Sequence, residues 1–217
     1  MKIRLKLVLA AVLLVPVMSV GVVGAVEQTG GDIPQTSTYT PKTGNEGLSL
    51  QQRLEKRKTE IKTKLSAVEK TRVTTRCKAA QGKVASAQAR AKVIDTRYAG
   101  YEKALTHLQQ LKDKLKAKGV DTTVYEQQLA VLTTKTQTYA DDAAAYKESL
   151  KDLAELDCAV DPDAFKASLE TSRKLRAKVE ADGKDIRSYY TMTIKPTLLS
   201  LRQQLVNKEG QNTEGGM

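Results

Sequence analysis

The sequence predicts an all-α protein, an antiparallel three-helix coiled-coil bundle with a long projecting first helix, and three observations carry that expectation. Apolar residues recur in alternating steps of three and four along most of residues 47–209. Strong turn chemistry interrupts the pattern near Gly119 and again at Asp161-Pro162. The only two cysteines, Cys77 and Cys158, fall at nearly the same level of the hairpin that a turn at Gly119 would make. The chain has no Trp and one Phe, which suits helices with narrow apolar seams better than a thick globular core.

Residues 1–25 read as a signal peptide. Lys2, Arg4 and Lys6 precede an uncharged run from Leu7 to Val26, and Val23-Gly24-Ala25 supplies small residues for cleavage. The run also approaches membrane-spanning length, so an uncleaved N-terminal anchor is the alternative; Pro16, Gly21 and Gly24 favour cleavage. Either way the remainder lies outside the cytoplasm, secreted or associated with the cell envelope. Residues 26–46, rich in Gly, Thr and Pro, read as a flexible linker.

The first helix is expected over about 47–118. Leu50, Leu54, Ile61, Leu65 and Val68 open its seam, and a five-residue step from Val68 to Val73 marks a slip near Thr71 to Thr75. The stripe then runs through Cys77, Ala80, Val84, Ala87, Ala91, Ile94, Tyr98, Tyr101, Leu105, Leu108 and Leu115. Gly119 ends it behind a run of lysines suited to a helix C-terminus. Asp121 caps the second helix, about 122–157, whose seam is Tyr125, Leu129, Leu132, Thr136, Tyr139, Ala143, Tyr146, Leu150 and Leu153. Asp161 as N-cap with Pro162 at the first helical position starts the third, about 162–208, with Gly183 a soft point and Pro196 a kink. Residues 210–217 read as a disordered tail.

In a hairpin turning at 119–121, Cys158 sits across from position 82, within reach of Cys77. An exported chain preserves such a bridge. It would pin the second turn to the middle of the first helix and leave residues before Cys77 projecting as an arm of some 40 Å.

The chain carries a formal net charge of +11. From Gln51 to Lys118 there are 19 basic and 6 acidic side chains, whereas Asp121 to Asp157 holds 3 basic and 8 acidic. The arm concentrates Arg53, Lys56, Arg57, Lys58, Lys62, Lys64, Lys70, Arg72, Arg76 and Lys78, which makes these the candidate polyanion-binding residues. Anionic envelope polymer, an anionic membrane surface and, less favoured, nucleic acid are the targets of that chemistry. A solvated charged helix face is the simpler reading of the same residues.

Nothing in the sequence assembles a catalytic constellation, a metal-ligand set or a cofactor motif. His107 stands alone beside the seam, and adjacent Asp141 and Asp142 diverge by about 100° around a helix. Six tyrosines fall on seams, where the ring packs inward and the hydroxyl reaches the rim.

The Gly119-Val-Asp-Thr-Thr123 hairpin, the Cys158 to Pro162 junction and the Asp185-Ile-Arg187 to Ile194-Lys-Pro196 stretch resemble uncharacterised secreted helical proteins of candidate-phylum bacteria. That resemblance is clearest over residues 110–200 and implies an envelope location and no activity. A basic exported arm is also similar to those of periplasmic holdase chaperones, although no strand-rich segment stands where that family trimerises. The expected function is non-enzymatic: a structural, adhesive or protein-interaction role at the envelope, with self-association or a protein partner through the first helix. The alternatives are a polyanion or membrane-surface binder using the basic arm, and a holdase-like chaperone.

Overall fold

The computed structural model describes residues 39–61 and 64–214, with side chains to 210. The signal segment 1–25, linker residues 26–38, Lys62 and the end of the tail, 215–217, lie outside the described residues. The described chain is all-α: α1 (Leu50–Ile61), α2 (Ala67–Thr75), α3 (Cys77–Ala117), α4 (Thr123–Glu155), α5 (Pro162–Tyr189) and, after a π-helical turn at Tyr190–Ile194, α6 (Lys195–Glu214). The long helices α3, α4 and α5–α6 pack antiparallel.

Both turns follow from their sequence. Gly119 adopts φ +70°, the left-handed conformation that closes a helix. The Val120 N–H donates to the Leu115 carbonyl and the Gly119 N–H to that of Lys116. Val120 and Leu115 are both buried, which completes a Schellman motif with its apolar contact. Gly119→Ala places a Cβ at positive φ and should cost about 1 kcal/mol, read as a lower urea midpoint with unchanged slope. Asp121, the expected N-cap, accepts from the Thr123 N–H and hydroxyl, but the N-cap position falls one residue later, at Thr122, and the helix begins at Thr123. At the second turn the Asp161 carboxylate accepts from the Ala164 N–H at 2.9 Å with Pro162 at the first position, satisfying an N–H that the helix leaves unpaired.

Every residue of the α4 seam is buried, and those of α3 are buried or packed on the core. Tyr101 and Tyr139 meet edge to face with centroids 5.2 Å apart, and the buried Tyr125 hydroxyl donates to the Leu108 carbonyl. The tyrosines on the seams are thus packing residues. Pro196, expected to kink the third helix, is preceded by the π-turn, which ends on the fully buried Ile194. Proline has no N–H to donate to the previous turn, and widening that turn absorbs the mismatch without breaking the helix. The final helix also runs to Glu214, past the expected end at 208.

The largest departure concerns the first helix. Residues 47–118 form three helices, and α1 does not project: it lies against α5 and reaches α4. Ser66 supplies the break. Its hydroxyl accepts from the Glu69 N–H while the Glu69 carboxylate accepts from the Ser66 N–H, a capping box that restarts the helix. Ser49 and Gln52 exchange the same pair of bonds at the start of α1. Between α2 and α3 the slip near Thr75 appears as a single turn at Arg76, φ −100° and ψ 6°. The part of the linker that is described is anchored too: the Tyr39 hydroxyl and the Lys42 N–H donate to Asp141, and Asn45 donates to Glu148.

Candidate interaction groove

The expected polyanion-binding residues are divided by this fold. Arg53 grips Asp152 with Nε at 3.1 Å and Nη2 at 2.6 Å, and donates to the Leu48 carbonyl. Arg57 Nη2 reaches Asp152 Oδ2, the oxygen that also accepts from Arg53 Nε, at 2.6 Å. Asp152 is fully buried and Arg57 is 5% exposed. One carboxylate therefore holds two guanidinium groups and, through them, the whole of α1. Lys58 pairs with Asp161, and Lys70 with Asp163. The Lys70 ammonium and then the Leu65 N–H hold the Asp163 carboxyl below its usual range. These cations are spent within the chain. Lys56, Lys64, Arg72, Arg76 and Lys78 remain exposed.

Asp141 and Asp142 diverge as expected. Asp141 faces the incoming chain at Tyr39, whereas Asp142 faces α5, near Lys178 and Asp182. Burial first, then the Asp142 charge and hydrogen bond, push the Asp182 carboxyl up to about 6. A folded value above the unfolded one means that the native state gains from protonation. That contribution is complete below pH 4 and disappears as the pH rises through 6. Asp182→Asn should therefore stabilise the protein by about 1 kcal/mol at pH 7.5, after allowance for solvent screening, with the gain vanishing near pH 4; paired urea melts at both pH values measure it.

A groove of about 630 Å³ opens between α3 and α5 over α4. Its floor is Val84 and Ala80 from α3, Leu150 and Leu153 from α4, and Leu169 from α5. Its edges carry Arg76 at the turn before α3, Lys83 and Arg90 on α3, and Arg173 and Arg176 on α5, with no carboxylate among the lining residues. Two structures bound it. At one end Cys77 and Cys158 form the expected disulfide, Cα atoms 5.5 Å apart. Beyond the other, Gly183 on α5 faces the Tyr101 hydroxyl on α3, which a Cβ there would meet at 3.4 Å. Between these ties α3 and α5 stand apart. The Gln81 and Gln88 side chains donate to the Leu156 and Leu150 carbonyls of the α4 segment, fixing α3 to its floor.

Sequence reasoning placed Arg76 in the arm and passed over Lys83, Arg90, Arg173 and Arg176. The signal was available in part, since Arg76, Lys83 and Arg90 are spaced by seven, the repeat that keeps side chains on one side of a packed helix. No family model matches the chain, and no curated protein or solved structure matches it. The groove has to be read from its own chemistry.

Proposed function

We propose that the chain is an exported, non-enzymatic helical binding protein of the cell envelope, a three-helix coiled-coil bundle of α3, α4 and α5–α6 strapped by α1. The observation that carries this reading is the groove: an open apolar floor edged by cations and bordered by the disulfide. Such a surface binds by burying apolar area and pairing charge. The disulfide fits an oxidising, extracytoplasmic compartment. No helix among the described residues is long and apolar enough to cross a membrane, so attachment to the envelope falls to the N-terminal segment or to a partner.

Pairing of Arg53, Arg57, Lys58 and Lys70 with Asp152, Asp161 and Asp163 leaves fewer free cations for a polyanion-binding surface and makes that the less favoured reading. The packing of α1 on α5 likewise favours a binding groove over a holdase cradle built from projecting arms.

Fractionation of bacteria expressing the full chain tests the reading. The expected product lies outside the cytoplasm, begins downstream of Ala25, and reacts with maleimide only after reduction. Recovery in the cytoplasm with two reactive thiols would overturn it.

A further inference from the structure

The groove lining holds five cations and no carboxylate. Arg176 pairs with Glu180 outside the lining, whereas Arg76, Lys83, Arg90 and Arg173 form no ion pair among the described residues. Four unpaired cations thus border one apolar recess. Holding like charges together along such a recess favours an anionic occupant.

We infer that the groove between Cys77–Cys158 and Gly183 binds an acidic amphipathic helix of a partner protein, of about four turns. This rests on the binding-protein reading above and names the partner's chemistry. Arg76 to Arg90 spans 14 residues, about 21 Å of helix axis. Cations seven residues apart on α3 repeat every two turns, so they meet carboxylates that recur every seven residues on a helix laid alongside. Arg173 and Arg176, one turn apart on α5, face the opposite flank. Ala79, Ala80 and Ala87 line the α3 side. Their small side chains let a partner backbone approach closely while Leu150, Leu153 and Leu169 receive its apolar stripe.

Other occupants fit less well. A single-chain lipid places one charge at one end, whereas these cations run along both edges. A polynucleotide would find one aromatic residue in the lining, Tyr146, and it is buried. A second copy of the chain brings another net charge of +11.

The test uses the full oxidised protein and a fluorescent 18-residue peptide with Leu on one helical face and Glu on both flanks; its partner peptide carries Lys in place of Glu. Anisotropy should show saturable 1:1 binding of the Glu peptide only, weakening as salt rises. Arg90→Glu with Arg173→Glu should weaken it at least about tenfold, as charge reversal at a binding rim does. Ala87→Trp, which fills the recess without changing charge, should do the same. Circular dichroism confirms that each variant folds. No binding of the Glu peptide, or binding that neither variant alters, overturns the inference. So does displacement of the peptide by laurate at lower concentration than the peptide's own affinity, or a dimer that Ala87→Trp abolishes. Export and the state of the thiols are read independently by fractionation, so failure here leaves the broader reading standing and failure there does not depend on this peptide.

Discussion

Asp152→Ala is expected to lower the unfolding free energy by about 3–5 kcal/mol, the cost of leaving a buried charge without its partner. Asp152 has no exposed surface, and both guanidinium groups that meet it belong to α1. Once it is gone, Arg57 is the residue most affected. It is almost wholly buried, and its Nη1 already lacks a hydrogen-bond partner. Two outcomes are open to it: to remain buried and unpaired, or to pull α1 away from α5 into water. Both are costly. Replacing Asp152, Arg53 and Arg57 together by leucine, leucine and methionine should cost far less than the single change, because no charge is then stranded. Urea unfolding of the single and triple variants measures the difference, and a single-variant cost below about 1 kcal/mol would show that the clasp contributes little.

Cys77→Ser with Cys158→Ser is expected to cost about 2–4 kcal/mol. The bridge closes a loop with a sequence separation of 81, and opening so long a loop returns much conformational entropy to the unfolded chain. Cys158 is fully buried between the end of α4 and the start of α5, so the serine hydroxyl there must also be desolvated. Melting the wild type with and without reductant separates these contributions, since the reduced protein keeps both sulfur atoms. The reduced protein should also bind the Glu peptide more weakly, because the disulfide is one of the two ties that bound the groove.

The three long helices were legible because each one carries its own signal. Tyr125 to Leu153 keeps its three-and-four rhythm for the whole of α4, and all nine residues named for that seam are buried. Gly119 and Asp161-Pro162 act locally, through a positive φ and a capped first turn, so their meaning needed no tertiary context. The cysteine pair was legible for a different reason. Antiparallel helices of known rise convert sequence distance into axial distance, and Cys77 and Cys158 came out within bridging reach.

The folded-back α1 was not legible from periodicity. Leu50, Leu54, Ile61, Leu65 and Val68 keep helical spacing straight through the break, since a seam records which face is apolar and not whether successive turns share one axis. Ser66-Ala-Val-Glu69 did announce a helix start, but it lay inside an apolar rhythm that appeared continuous. Asp152 was harder still. It precedes the seam residue Leu153 and reads as a solvated flank, and what buries it is a pair of arginines from the far end of the sequence. The groove shares this origin, because its width depends on how far α3 and α5 stand apart rather than on any local pattern.

Amide hydrogen exchange across residues 50–61 is the most direct measurement of whether the basic N-terminal segment is strapped to the bundle. In the native protein α1 should exchange far more slowly than an isolated twelve-residue helix, which is marginal in water. Asp152→Ala should release that protection while α3 and α4 keep theirs. Rapid exchange of residues 50–61 in the wild type, or protection there that survives Asp152→Ala unchanged, would contradict the strapped arrangement and return the segment to a free arm.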